Sequence, residues 1–138
     1  MDDDLHRFTA AQRDSYADAL AELRAGAKRS HWMWFVFPQI AGLGHSTTAR
    51  HFALRDLAEA RAYLAHPLLG ERLRESSEAL LPHRGHDISR ILGAIDAIKL
   101  RSSMTLFDAA ADGGEPVFAA ILDGFYGGER DPATLARL

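Results

Sequence analysis

Twelve residues, "KRSHWMWFVFPQ" from Lys28 to Gln39, bring two cations, a histidine, two indoles and a carboxamide into one short stretch. Each type suits a step in handling an anion. Lys28 and Arg29 supply positive charge, and in a loop the backbone amides beside them are free to join in holding an anion. His31 ionises near neutral pH and is the candidate for proton transfer. Trp32 and Trp34 offer flat walls on which a base or an aromatic ring can stack. Gln39 can orient a ligand through its amide. The same residues also have a structural reading, with the aromatics in the core and Lys28-Arg29 as the basic pair that a helix C-terminus favours.

A second chemical group lies in "ILGAIDAIKLRSSMTLFDAAA". At about 100° per residue, Asp96, Lys99 and Ser103 form a narrow polar stripe on a helix. Ile95, Ile98 and Leu106 fall to one side of it, and Leu100, Met104 and Phe107 to the other. A polar stripe between apolar flanks suits a crevice better than bulk water. A partly buried lysine needs a counter-ion or an anionic ligand, and Asp96 three residues earlier can serve as the partner. Lys99 is then the candidate charge stabiliser, with Ser103 and Gln39 orienting the ligand. A purely structural ion pair is the other reading. Arg101 falls on a different face and reads as a solvated charge.

Other chemistries have weaker footing. There is no cysteine, which removes disulfides, thiolate nucleophiles and cysteine-based metal sites. The histidines form no HExxH pair and the carboxylates no evident triad, so no metal site is expected. No G-x-S-x-G elbow is present, and "GLGHS" lacks the dinucleotide fingerprint, so its glycines read as a turn and no cofactor is implied. The net charge of −3 and the lack of a basic stripe argue against duplex nucleic acid.

The elements that must position these groups are helical. "TAAQ" at Thr9 has capping-box spacing, Tyr16, Ala19, Leu20 and Leu23 follow at helical intervals, and Gly26 offers a left-handed stop. Ser46, Asp56, Asp87 and Asp131 read as N-caps, while Pro67 and Pro116 suit first helical positions. The stretch after Asp87 reads as one long helix bent near Gly93. "WMWFVF" reads either as a buried extended piece or as a helical turn. The expectation is a single all-α domain over residues 1–138, with about seven or eight short helices. At 138 residues such a domain buries roughly two thirds of its unfolded surface. The N-terminal "MDDDLHRF" has no apolar signal segment, and no run reaches the roughly 18 apolar residues of a membrane span, so a cytoplasmic location without membrane contact is expected.

Four segments, "AELRAGAKRSHWMWFVFPQIAGLGHS", "AYLAHPLLGERLRE", "KLRSSMTLFDA" and "FYGGERDPATLARL", resemble in that order the domain-of-unknown-function family 1810 over nearly the whole chain. The resemblance implies a predominantly helical protein of similar length and carries no activity with it. Ala94 and Ile95 stand where relatives often have an aromatic-proline pair, which bears on the approach to Lys99. Calpastatin, a name sometimes attached to such proteins, denotes a disordered and repetitive inhibitor and does not fit the packed-core periodicity here. Two functions follow from the residues. In one, Lys28, Arg29, His31 and Lys99 converge on an anionic small molecule, such as a nucleotide or ADP-ribose-like compound, with an indole stacking on it. In the other, the chain is a non-catalytic helical module whose exposed aromatics bind a protein partner. Oligomeric state is open in both.

Overall fold

Local capping chemistry sets most of the helix starts. Residues 3–138 are described by the computed structural model; Met1 and Asp2, the start of the acidic N-terminal stretch, lie outside them. In chain order the helices are α1 (His6–Gln12), α2 (Tyr16–Ala25), α3 (Met33–Val36), α4 (Thr47–Phe52) and α5 (Leu57–Ala65). They continue with α6 (Leu69–Leu80), α7 (Ile88–Leu92), α8 (Ala94–Ala110), α9 (Pro116–Tyr126) and α10 (Pro132–Leu135). Ser46, Asp56, Asp87 and Asp131 each accept from a backbone amide in the first turn of the helix that follows. No strand forms among the described residues, although Ile40 and Leu54 pair as one isolated parallel bridge. The all-α reading therefore holds.

There are ten helices among the described residues rather than seven or eight, for three physical reasons. The first predicted helix is divided at Arg13–Ser15, because its two halves bury different polar groups. Gln12 on α1 donates to the Phe35 carbonyl at 2.6 Å and to the Tyr63 hydroxyl at 3.1 Å. Tyr16 on α2 instead donates to Glu75 at 2.5 Å on α6. Thr9 consequently caps nothing: it lies inside α1, and its hydroxyl returns to the His6 carbonyl. The long helix is not bent but broken at Gly93, whose φ of +91° only glycine adopts without strain. Finally, "WMWFVF" resolves as the helical turn α3, with Trp32 preceding its first residue.

Helix α8 runs through the middle, packed by α5, α7, α9 and α10. Its second half is sheathed on all sides, so that Ser102 through Phe107 are all buried. One face of its first turns is left uncovered, while Ala97 and Leu100 on the other side are buried. This leaves Ile95 72% and Ile98 67% exposed, where an apolar flank was expected to be covered. The buried residues form one continuous core that includes Trp32, Phe37, Tyr63, Leu73, Phe107 and Phe118.

The entry to α6 differs slightly from its sequence signature. Pro67 lies in a turn ahead of the helix, and His66 accepts from the Leu68 and Leu69 amides at 3.1 and 3.2 Å, doing the work of a cap. At the second residue of α6, Gly70 passes so close to α5 that an added Cβ would lie 2.1 Å from the Leu64 carbonyl oxygen. Backbone cannot yield as a flexible side chain can, so Gly70→Ala is expected to cost about 1–3 kcal/mol by forcing the α5–α6 contact apart. Equilibrium urea unfolding checks this, and an unchanged midpoint would show that the two helices part without strain.

Candidate functional site

The basic loop is already holding an anion, and it is the chain's own. Glu22 lies near the end of α2, and Gly26 turns the following chain back across it. Its Oε1 accepts from the Arg29 amide at 2.7 Å, the Ser30 amide at 3.0 Å and the Trp32 indole Nε1 at 2.9 Å. Its Oε2 accepts from the Ser30 hydroxyl at 2.6 Å. Partial burial opposes charge on this group, but four hydrogen bonds outweigh it and hold the Glu22 carboxyl at about 2 against an ordinary 4.5. The amides expected to be free for an external anion are thus spoken for. Trp32 is 1% exposed, its ring in the core and its N–H on Glu22.

Lys28 leaves this loop in the direction of α8. Its ammonium donates to the Ser30 carbonyl at 2.6 Å, lies 3.0 Å from Asp96 Oδ2 and sits over the Trp32 ring at 5.1 Å. The Lys28 amide also donates to the Ile91 carbonyl at 2.8 Å, which fastens the loop to α7 immediately before the Gly93 break. The other oxygen of Asp96 is 3.5 Å from Lys99 Nζ, and that ammonium lies over the Trp34 ring at 4.6 Å. The two segments singled out in the sequence therefore meet at Asp96, with two ammonium groups sharing one carboxylate. The Lys28 and Lys99 side chains are only 10% and 20% exposed, so water screens this cluster weakly.

A cleft of about 290 Å³ opens beside Lys99. Gln39, Leu43, Ile95, Ile98 and Ser102 line it, and Asp131 closes it from the C-terminal segment. A larger hollow of about 420 Å³ lies between the end of α2 and α7, where His83, His86, Asp87 and Arg90 supply the polar groups. There His83 Nε2 bonds the Leu23 and Arg24 carbonyls, and Asp87 caps α7. The Lys99 cleft sets a cation that shares its carboxylate with Lys28 beside an apolar wall.

Other predicted site residues stand elsewhere. His31 and Arg29 are exposed and do not line the cleft. Ser103 is wholly buried, its hydroxyl without a hydrogen-bond partner, and it is Ser102 that reaches the cleft. Trp34 is half-buried beneath Lys99, and a further hollow that it lines holds only about 10 Å³.

Sequence reasoning missed the role of Arg101, which is no free surface charge. It donates to the Glu129 carbonyl at 2.9 Å and the Arg130 carbonyl at 2.8 Å, clasping the loop after α9. Ser102 donates to Asp131 Oδ2 at 2.9 Å, and the Asp131 amide donates to Thr105 at 2.9 Å. "KLRSSMT" and "YGGERDP" are thus two halves of one joint. Partial burial works against charge on Asp131, but hydrogen bonds from Thr134 and Ser102, with Arg101 nearby, keep its carboxyl below the ordinary range. Helical spacing set Arg101 on a different face from Lys99, but nothing local in the sequence named its partner.

Among the described residues, no group of three or more histidine, cysteine or acidic side chains is arranged to hold a metal ion, and no helix is long and apolar enough to cross a membrane. A family model described as "Protein of unknown function (DUF1810)" matches residues 2–138. The chain is similar to the crystal structure of the conserved hypothetical protein Rv1873 from Mycobacterium tuberculosis, with 49% identity and a TM-score of 0.95. That likeness covers 98% of this chain and 96% of the other. No curated protein matches the chain.

Two consequences can be measured. Replacing Glu22 by Gln weakens the charge-assisted bonds to three amide or indole N–H groups, at an expected cost of about 1–3 kcal/mol near neutral pH. Because folding depresses the Glu22 pKa, its stabilisation is complete above the unfolded value of 4.5 and is lost as pH falls toward about 2. The gap between wild type and Glu22→Gln in unfolding free energy should therefore shrink over that window; a gap constant from about pH 6 to about pH 3 would contradict it. Separately, Arg101→Ala should raise amide exchange across the loop after α9 and at Asp131, read by hydrogen–deuterium exchange, while α2 and α6 stay protected.

Proposed function

The chain belongs to this family of proteins of unknown function, and from that premise and the charges around Asp96 we propose that it binds an anionic small molecule in the cleft at Lys99. One observation carries the reading: Lys28 and Lys99 share the single carboxylate of Asp96, so that neither ammonium has a carboxylate to itself, and Lys99 borders an open cleft. Buried cations are normally matched by anions, because an unmatched ammonium costs several kcal/mol even after relaxation. The cleft gives an incoming anion access to the less buried of the two lysines. Gln39 and Ser102 add polar groups beside it. The Trp34 face under Lys99 holds the ammonium in position before any ligand arrives, so little ordering accompanies binding.

The reading is one of binding. His31, the candidate for proton transfer, is exposed and outside the lining of the cleft, so no catalytic step is built on it.

A second reading, a helical interaction module, draws on Ile95 and Ile98, which expose apolar side chains on the rim of the same cleft. The tryptophans do not contribute to such a surface, since Trp32 is buried and Trp34 is covered by Lys99.

Thermal unfolding against a panel of phosphorylated metabolites, nucleotides and organic acids tests the binding reading. Lys99→Met is the control, because it keeps an unbranched apolar stem over Trp34 while removing the charge. A specific ligand at about 100 times its Kd should stabilise wild type by about 2.7 kcal/mol and leave the variant little changed. If every compound moves both proteins equally, the cleft does not bind anions. In that event, partner capture lost on Ile95→Asp and Ile98→Asp substitution would support the interaction module.

A further inference from the structure

We infer that the ligand of the Lys99 cleft is a small aliphatic monocarboxylate, a deepening that rests on the binding reading above. Size, charge and wall chemistry each point the same way.

At about 290 Å³ the cleft stands at the small end of ligand pockets, which commonly run from roughly 300 to 1,000 Å³. A nucleoside diphosphate joined to a second sugar needs the large end of that range. A short-chain acid does not.

The wall is aliphatic. Leu43, Ile95, Ile98 and Ala133 supply it, and no aromatic ring lines the cleft. A nucleobase would want an open π face, and neither indole offers one. The Trp32 ring is in the core, and one face of Trp34 carries the Lys99 ammonium while the space beside the ring is barely the size of one water. The two exposed isoleucines acquire a purpose here, since an alkyl chain laid along them would remove part of their surface from water.

The charges around the cleft favour a single negative charge. Lys28 and Lys99 share Asp96, and Asp131 already sets a further negative charge on the cleft wall, so the place beside Lys99 takes one more negative charge better than two. A phosphate monoester brings nearly two negative charges at neutral pH. Its second charge would meet Asp131, which closes the cleft and stays ionised through its bonds from Ser102 and Thr134. Asp131 therefore acts as a charge filter: it tolerates a monoanion held at Lys99 and repels a dianion that extends toward it.

Methyl and amide NMR titrations of the full chain with four probes test this: hexanoate, hexanol, hexyl phosphate and adenosine monophosphate. Hexanoate should shift the Leu43, Ile95 and Ile98 methyl signals saturably and bind at least about tenfold more weakly to Lys99→Met, as expected when one charge-assisted contact is lost. Hexanol should bind more weakly than hexanoate to wild type and show no preference between the two proteins. Asp131→Asn should narrow the gap between hexanoate and hexyl phosphate by relieving the repulsion; the amide spectrum of the variant reports whether the C-terminal joint stays docked, and Thr105→Val, which removes the acceptor of the Asp131 amide outside the cleft and keeps the charge, should leave the gap in place. Hexanoate binding that ignores Lys99, or hexyl phosphate or adenosine monophosphate binding at Lys99 as tightly as hexanoate, would overturn the monocarboxylate assignment; the second outcome would leave anion binding standing. Silence of the cleft methyls toward all four probes would overturn both.

Discussion

Asp96 is a bridge between segments far apart in the chain, and the site depends on it. Its two carboxylate oxygens face ammonium groups from the loop after α2 and from the second turn of α8. Such a bridge works only if both lysines are delivered to it. Lys28 is delivered by Glu22, whose carboxylate gathers the amides and the indole that follow and so fixes the loop path. Lys99 is delivered by the break at Gly93, which starts a new helix with Asp96 in its first turn. An acidic residue there also complements the helix dipole, so Asp96 is charged for a local reason as well as a tertiary one.

The polar residues of α8 divide along its length by what they meet. Asp96 and Lys99 face the basic loop and the cleft. Arg101, Ser102 and Thr105 face the segment after α9 and lock it down through backbone and Asp131 contacts. Ser103 points into the core, where its hydroxyl lacks a partner. A small side chain at that place fits a closely packed helix, and the cost of the unmet hydroxyl is the kind that packing elsewhere must offset. The cleft lies where the first two groups adjoin, which is why a residue of the C-terminal joint, Asp131, also borders the proposed ligand.

Legibility from sequence followed the range of the interaction. Caps at Ser46, Asp56, Asp87 and Asp131 were readable because donor and acceptor lie within three residues. The capping box at Thr9 failed although its spacing was right, because a buried bond from Gln12 to Phe35, twenty-three residues on, was worth more than a local one. Helical periodicity put Asp96 and Lys99 together correctly, but it gave no sign that the neighbours of α8 stop short of Ile95 and Ile98. It assigned the crevice to Ser103 when the adjacent Ser102 lines it. Nor could it show that the anion in the basic loop is Glu22, since a carboxylate at a helix end resembles any solvated charge until the chain folds back upon it.

That self-occupied loop explains why so dense a mixture of cations and indoles sits in one short stretch. Trp32 and Trp34 are two residues apart on either side of Met33, yet they do different work. Trp32 uses its N–H to anchor on Glu22 and lends its ring to Lys28. Trp34 stays half-buried and lends its ring to Lys99. Each lysine is thus held by a carboxylate and an aromatic face together, which fixes the ammonium without saturating its donors. An ammonium fixed only by carboxylates would be neutralised as well as ordered. One fixed partly by a π face is ordered but keeps its charge available, and Lys99, the more exposed of the two, is the one left beside the cleft.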